Sequence, residues 1–264
     1  MEKIRVVVHG ASGRVGQEVV KAVSQEPGMQ LVGAVDIKAS TPELVLPEGA
    51  GKVPFSADFK SIITTCKPDV VVDFTIAKAC VPAVRIAAEM GVSLVIGTTG
   101  FTADELGEME RLAKSKKIGI VVAPNFALGA VIMIHLAKIA GKFFDHAEII
   151  ELHHDKKLDA PSGTAKSTAQ AMVKARGKEF MAPSVQGAAS ASRGETSGGI
   201  NIHAVRLPGL MAHQEVLFGG AGQTLSIRHD TINRECYTPG VILAIKEVIK
   251  RKSYIYGLDN LLGL

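Results

Sequence analysis

Two kinds of apolar pattern alternate through the first half of the chain. Short continuous runs, Ile4–Val8, Leu31–Val35, "PDVVVDFT" (Pro68–Thr75), Ser93–Ile96 and Ile118–Ala123, are rich in β-branched residues and show no polar face. Between them, Val15–Val23, Ala79–Met90 and Thr102–Ser115 place apolar residues at helical spacing. Thr102 stands as an N-cap with Glu105 three residues on, a pairing that satisfies backbone N–H groups at a helix start. Ala39–Pro54 holds several Pro and Gly and predicts a loop. Strands without a polar face are buried on both sides, as in a parallel sheet covered by helices. Right-handed crossovers through those helices follow. The pattern therefore predicts an α/β fold with an N-terminal doubly wound parallel (Rossmann-type) sheet.

The rhythm changes after Asn125. Leu128–Lys142 and Thr164–Arg176 predict helices, with a strand at Ala147–His153 between them. "QGAASASRGETSGG" (Gln186–Gly199) is dominated by small residues and predicts a mobile loop. Three strands follow, at Ile200–Arg206, Glu215–Phe218 and Leu225–His229. Clustered strands with short connections imply a second α+β domain on an open, mostly antiparallel sheet. A last helix, Thr238–Lys250, is expected to pack back on the first domain. The expected domains are 1–126 with 238–264, and 127–237.

Composition narrows the function. At 264 residues and 47% hydrophobic, the chain can bury a substantial core. A net charge of +4, with Lys and Arg spread along the chain, does not suggest a nucleic-acid partner. Cys66, Cys80 and Cys236 are far apart and form no CxxC pair, so neither a disulfide framework nor a zinc site is indicated. The start lacks a secretory pattern and no apolar run is long enough for a bilayer. A cytoplasmic protein without membrane contact is expected.

"GASGRVG" (Gly10–Gly16) follows the first strand and opens the first helix. Its spacing is GxxGxxG, and it serves the same end as GxGxxG: a tight turn, and a helix N-terminus offering N–H groups to a pyrophosphate. Asp36 closes the second strand about twenty residues on, where an acid binds adenosine ribose hydroxyls. "GTTG" (Gly97–Gly100) and "APNF" (Ala123–Phe126) also end strands, and ligands of such sheets lie beyond the strands' carboxyl ends. Taken singly, each of these could be a packing turn. Their coincidence points to a dinucleotide.

"ELHHDKKLDAPSGTAK" (Glu151–Lys166) crowds His153, His154, Lys156 and Lys157 ahead of a helix start at Ser162, Gly163 and Thr164. Free N–H groups and hydroxyls there suit a carboxylate. Lysine and histidine can hold or give a proton. A solvated lysine patch, a structural histidine and a plain helix cap are the competing readings. A metal is not expected, because adjacent strand residues face opposite ways and no acid or cysteine cluster completes a site.

The stretch "ELHHDKKLDAPSGTA" closely resembles the signature loop of the 4-hydroxy-tetrahydrodipicolinate reductase family, formerly called dihydrodipicolinate reductases, with the pattern E-x-H-H-x-x-K-x-D-A-P-S-G-T-A. "GASGRVG", "DFT" (Asp73–Thr75), "GTTGF" and "NF" (Asn125–Phe126) match in order, while "RHD…NR" (Arg228–Arg234) fits weakly. The resemblance spans essentially the whole chain. It implies reduction of a small cyclic dicarboxylate imine by NADH and/or NADPH, with loss of water, in the diaminopimelate route to lysine. It further implies a homotetramer formed through the second domain. By that resemblance His153 and Lys157 are catalytic, and His154, Ser162, Gly163 and Thr164 bind the substrate. Gly10, Ala11, Ser12, Gly13, Arg14 and Val15 would bind the cofactor, with Asp36 and Lys38. So would Phe74 and Thr75, Gly97, Thr98 and Thr99, and Ala123, Pro124, Asn125 and Phe126. Ile37 follows the acid, where some members carry an arginine suited to NADP. Two other readings are a dehydrogenase of another small carboxylic acid, and a non-catalytic dinucleotide sensor. Among the former, an aspartate or a semialdehyde dehydrogenase would be examples; the semialdehyde enzyme needs a nucleophilic cysteine, for which this chain offers no convincing setting, and the sensor leaves the His–His–Lys loop without a task.

Overall fold

The computed structural model describes residues 2–182 and 192–264. Its contacts divide the chain into two compact units, Met1–Leu128 with Arg234–Leu264, and Gly129–Asn233.

The first unit carries β1 (Ile4–His9), α1 (Arg14–Gln25), β2 (Met29–Val35), β3 (Glu43–Val45), β4 (Lys52–Ser56) and α2 (Phe59–Cys66). Next come β5 (Val70–Asp73), α3 (Ala77–Glu89), β6 (Ser93–Ile96), α4 (Ala103–Lys116) and β7 (Ile120–Val122). Its sheet runs β13-β7-β6-β5-β1-β2-β4-β3, where β13 is Tyr254–Tyr256 from the far end of the chain. Every pairing is parallel except β3–β4. Val6–Val8, Val70–Val72, Leu94–Ile96 and Ile120–Val121 have no exposure, as strands covered on both faces require. Thr102 caps α4 as its sequence predicts: its hydroxyl accepts from the Glu105 N–H, and the Glu105 carboxylate accepts from the Thr102 N–H.

The second unit holds α5 (Leu128–Ala140, its first residue apart), β8 (His146–His153), α6 (Gly163–Arg176), β9 (Glu195–Ser197), β10 (Ile200–Arg206), β11 (Ala212–Gly220) and β12 (Gln223–Thr231). The sheet order is β12-β11-β8-β10-β9. It is mostly antiparallel, with one parallel pair, β8–β10. Ala147 and Ile149 of β8, Ile202 of β10, and Val216 and Phe218 of β11 form a core with Ala165, Ala169 and Met172 of α6. Near the end of the chain α7 (Thr238–Val248) packs on β6 and α1 of the first unit, and α8 (Leu258–Leu262) follows β13.

Several expectations need correction. The loop predicted at Ala39–Pro54 contains β3 and the start of β4: Val53 and Phe55 are buried while Lys52 and Pro54 are exposed, a strand alternation too short to stand out beside its prolines. Within the loop predicted at Gln186–Gly199, Glu195–Ser197 form β9 against β10, and residues 183–191 lie outside the described residues. α2, β13 and α8 were not anticipated. Among the described residues, no helix is long and apolar enough to cross a membrane.

Candidate active site

In the first unit the glycine turn is tight because backbone crowds it. Gly10 has φ +85°, and a Cβ there would lie 2.5 Å from the Phe74 carbonyl oxygen. A Cβ on Gly16 would meet the Gly10 carbonyl at 2.0 Å. No side chain caps the start of α1, so its first N–H groups are offered to an anion by the chain's geometry. Asp36 is buried and brought to this turn: it accepts from the Ser12 N–H at 2.9 Å and from the Lys38 N–H at 2.9 Å. A carboxylate has about four acceptor positions, which leaves room for ribose hydroxyls. A cradle that a Cβ would fill, a free helix start and an anchored acid together fit a dinucleotide. Arg14 and Lys38 are exposed, as are Thr99 and Pro124.

Beside the turn, Asp73 ends β5 with no exposure. It accepts from the Thr98 hydroxyl at 2.6 Å and the Thr75 hydroxyl at 2.9 Å, and His9 Nδ1 lies at 2.7 Å. Burial alone would raise its pKa; the His9 ring and the two hydroxyls outweigh that and hold it below the usual range. The Thr75 N–H donates to the Thr98 oxygen at 2.7 Å, tying the loops after β5 and β6 together. Thr98, Ala123 and Phe126, expected at the cofactor, have buried side chains. The Thr98 hydroxyl serves Asp73, and the Phe126 ring packs 5.7 Å from that of Phe74. Asn125 Oδ1 accepts from the Ala127 N–H. Sequence reading passed over His9 and quoted Asp73 only as a letter of "DFT", without a task; an acid inside the apolar run "VVVDF" was the available signal, since a buried carboxylate needs partners.

In the second unit β8 delivers Glu151 and His153 to one face of the sheet. Glu151 has no exposure. His153 Nδ1 lies 2.5 Å from Glu151 Oε2, the Ser162 N–H donates to Oε1 at 3.0 Å, and Arg206 donates to both oxygens at 2.8 and 2.9 Å. Burial would raise the Glu151 pKa, but these donors pull it down to about 2. Lys157 Nζ is 2.8 Å from Asp159 Oδ1, and the Lys157 N–H closes a turn onto the His154 carbonyl. The Ser162 hydroxyl caps α6 by accepting from the Ala165 N–H. Both polar groups of Ser162 thus serve the fold, and its side chain faces inward instead of toward a ligand. Gly163 and Thr164 remain exposed at the helix start, as does His154. Glu151 was visible only as a letter of the motif, and Arg206 not at all, because it arrives from a strand whose register the sequence does not state. Among the described residues, no group of three or more His, Cys, Asp or Glu could hold a metal ion.

A Rossmann-type sheet with an anchored acid at its glycine turn has the form of a dinucleotide-binding unit, and in the second unit a histidine and a helix start share one buried carboxylate. The chain belongs to the dihydrodipicolinate reductase family, whose N-terminal model matches residues 4–126 and whose C-terminal model matches residues 129–262. It is 60% identical to a 4-hydroxy-tetrahydrodipicolinate reductase of Dehalococcoides mccartyi over the full length of both chains. It is 48% identical to that of Moorella thermoacetica, covering 98% of each. The dipicolinate-bound dihydrodipicolinate reductase of Paenisporosarcina sp. TG-14 superposes with a TM-score of 0.89 at 41% identity, covering 98% of this chain and 99% of that one. The amine dehydrogenase of Mycobacterium smegmatis, at 18% identity, covers 97% of this chain and 95% of its own with a TM-score of 0.67, and shares the fold.

Proposed function

We propose that this chain reduces 4-hydroxy-tetrahydrodipicolinate to tetrahydrodipicolinate with NADH or NADPH, releasing water, in the diaminopimelate route to lysine. The observation that carries the reading is the Glu151–Thr164 loop, in which the His153 ring and the Ser162 N–H at the start of α6 meet on the Glu151 carboxylate, in a chain this similar to named reductases. The nicotinamide, when bound, supplies the hydride. Gly10–Val15 hold the pyrophosphate, and Asp36 holds the ribose. Phe74, Thr75, Gly97–Thr99 and Ala123–Phe126 form the wall beside them, with Lys38 and Arg14 available to a further phosphate. Gly163 and Thr164 bind one substrate carboxylate and His154 lies against the substrate; Ser162 acts by capping the helix. His153 and Lys157 deliver the proton that a ring carbon needs after reduction. Residues 1–126 with 238–264 form the dinucleotide domain, and 127–237 the substrate and assembly domain. The protein works in the cytoplasm as a homotetramer assembled through the five-stranded sheet; a stable monomer by light scattering at assay concentration would refute that assembly.

The test is a coupled assay with freshly condensed pyruvate and aspartate semialdehyde. NADH or NADPH oxidation that depends on the condensation product supports the reading. A folded protein that binds NADH and leaves it unoxidised refutes it.

A further inference from the structure

A carboxylate without exposure must find its compensating donors inside the protein. Glu151 draws them from three separate segments: His153 at the end of β8, the Ser162 N–H at the start of α6, and Arg206 at the end of β10. Arg206 also donates to the Asp159 carbonyl at 2.7 Å, so it clamps the carboxylate and the turn before α6 together. Strand geometry makes the arrangement compulsory. Residues two apart on a strand share a face, which puts Glu151 under His153, and the parallel register sets Arg206 beside His153.

The geometry points to Glu151 and Arg206 as positioning residues for the proton transfer: the carboxylate holds His153 by Nδ1, which leaves Nε2 as the nitrogen that meets the substrate, and the guanidinium holds the carboxylate. This rests on the reading of His153 as a proton carrier. The carboxyl is held down at about 2, so it stays anionic near neutral pH and orients the imidazole without taking its proton. The fork of Arg206 and the Ser162 N–H already engage both oxygens. The fold's need for a partnered acid is met by them, and the contact with His153 serves the ring. An acid that fixes the tautomer of a working histidine supports the rate as well as the fold, because the wrong tautomer cannot carry the proton.

The test uses the full-length chain labelled with 15N at histidine, with the His153 ring signals assigned through His153→Gln. Glu151→Gln should change the His153 ring pattern, lower kcat on the order of a hundredfold or more, and leave the substrate KM within about threefold. NADH binding should hold. Since Glu151→Gln can weaken the fold, the double variant Glu151→Gln with Arg206→Met removes both charges and avoids an unpaired buried one. It should fold, keep the altered ring pattern and stay slow, whereas Arg206→Lys, which preserves the charge and loses the fork, should fall between it and the native chain. A folded double variant with the native ring pattern, or with kcat within about threefold of the native chain, overturns the inference. With no turnover in the native chain the functional reading falls, and the ring pattern by itself upholds or overturns the positioning role.

Discussion

Lys157→Met separates chemistry from folding most sharply. Lys157 Nζ pairs with Asp159 at 2.8 Å, but the lysine side chain keeps 23% of its exposure and the aspartate 62%. A pair so open to water contributes about 0–1 kcal/mol. Methionine keeps most of the apolar stem, so packing changes little. At roughly 2–4 °C per kcal/mol for a chain near this size, the melting temperature should fall by no more than about 4 °C. The rate is a different matter. A positioned proton donor contributes about a hundred- to ten-thousand-fold, which is about 3–5 kcal/mol of barrier. The chemical effect therefore exceeds the structural one several times over. Initial rates of NADH oxidation against substrate concentration, with a thermal melt of the same sample, measure both. A folded Lys157→Met protein with kcat within a few-fold of the native chain would show that the lysine is a solvated surface charge, and the assignment of Lys157 as proton donor would be wrong.

In the role proposed for it, Asp36 holds ribose hydroxyls and would repel a phosphate, so Asp36→Ala should weaken NADH more than NADPH; equal losses in fluorescence titrations would remove that role. Glu151 makes the fold acid-sensitive in a stated window. Its folded pKa is lowered from 4.5 to about 2, so its contribution is complete above the ordinary carboxylate range and disappears as pH falls toward 2, about 3 kcal/mol in all. Denaturant unfolding between pH 6 and 2 should show that slope in the native chain and a flatter one in Glu151→Gln, and equal slopes would contradict it. Gly240→Ala should destabilise the first unit although alanine is the better helix former by about 1 kcal/mol. A Cβ there would sit 2.1 Å from the Phe126 carbonyl oxygen, and overpacking of that kind costs about 1–3 kcal/mol. A raised melting temperature would refute the argument.

What could be read in the chain depended on how far each signal reached. The valine-rich strands were plain because burial on both faces removes polar residues from whole runs, as at Val70–Val72. β3 and β13 were hidden because each spans three residues and depends on its neighbours for its pairing. The glycine turn, Asp36, His153 and Lys157 could be named because their chemistry is local to a short motif. Ser162 could be named but not aimed: nothing in "PSGT" says that its N–H and hydroxyl turn inward to Glu151 and the helix backbone. Arg206 and the His9–Asp73 contact are products of register, which brings together residues 55 and 64 positions apart. Contacts of that kind join segments far apart in the chain, and single-sequence reading reaches them last.

The discontinuity of the first unit has a consequence at the ribosome. β7 pairs on one side with β6, which precedes it, and on the other with β13, which is made only after the entire second unit. α7, which covers β6, also comes late. During synthesis the first unit must therefore wait with one strand edge open and part of one sheet face bare, while the second unit, continuous from Gly129 to Asn233, has everything it needs to close first. An open apolar edge is a site for mispairing, so this topology lengthens the time in which the nascent first unit can mispair. Arrested chains that end before Arg234 should leave the first unit open to protease, and chains carried through Leu264 should close it. Full protection in the arrested chains would mean that the early strands and helices hold the sheet together without their late partners.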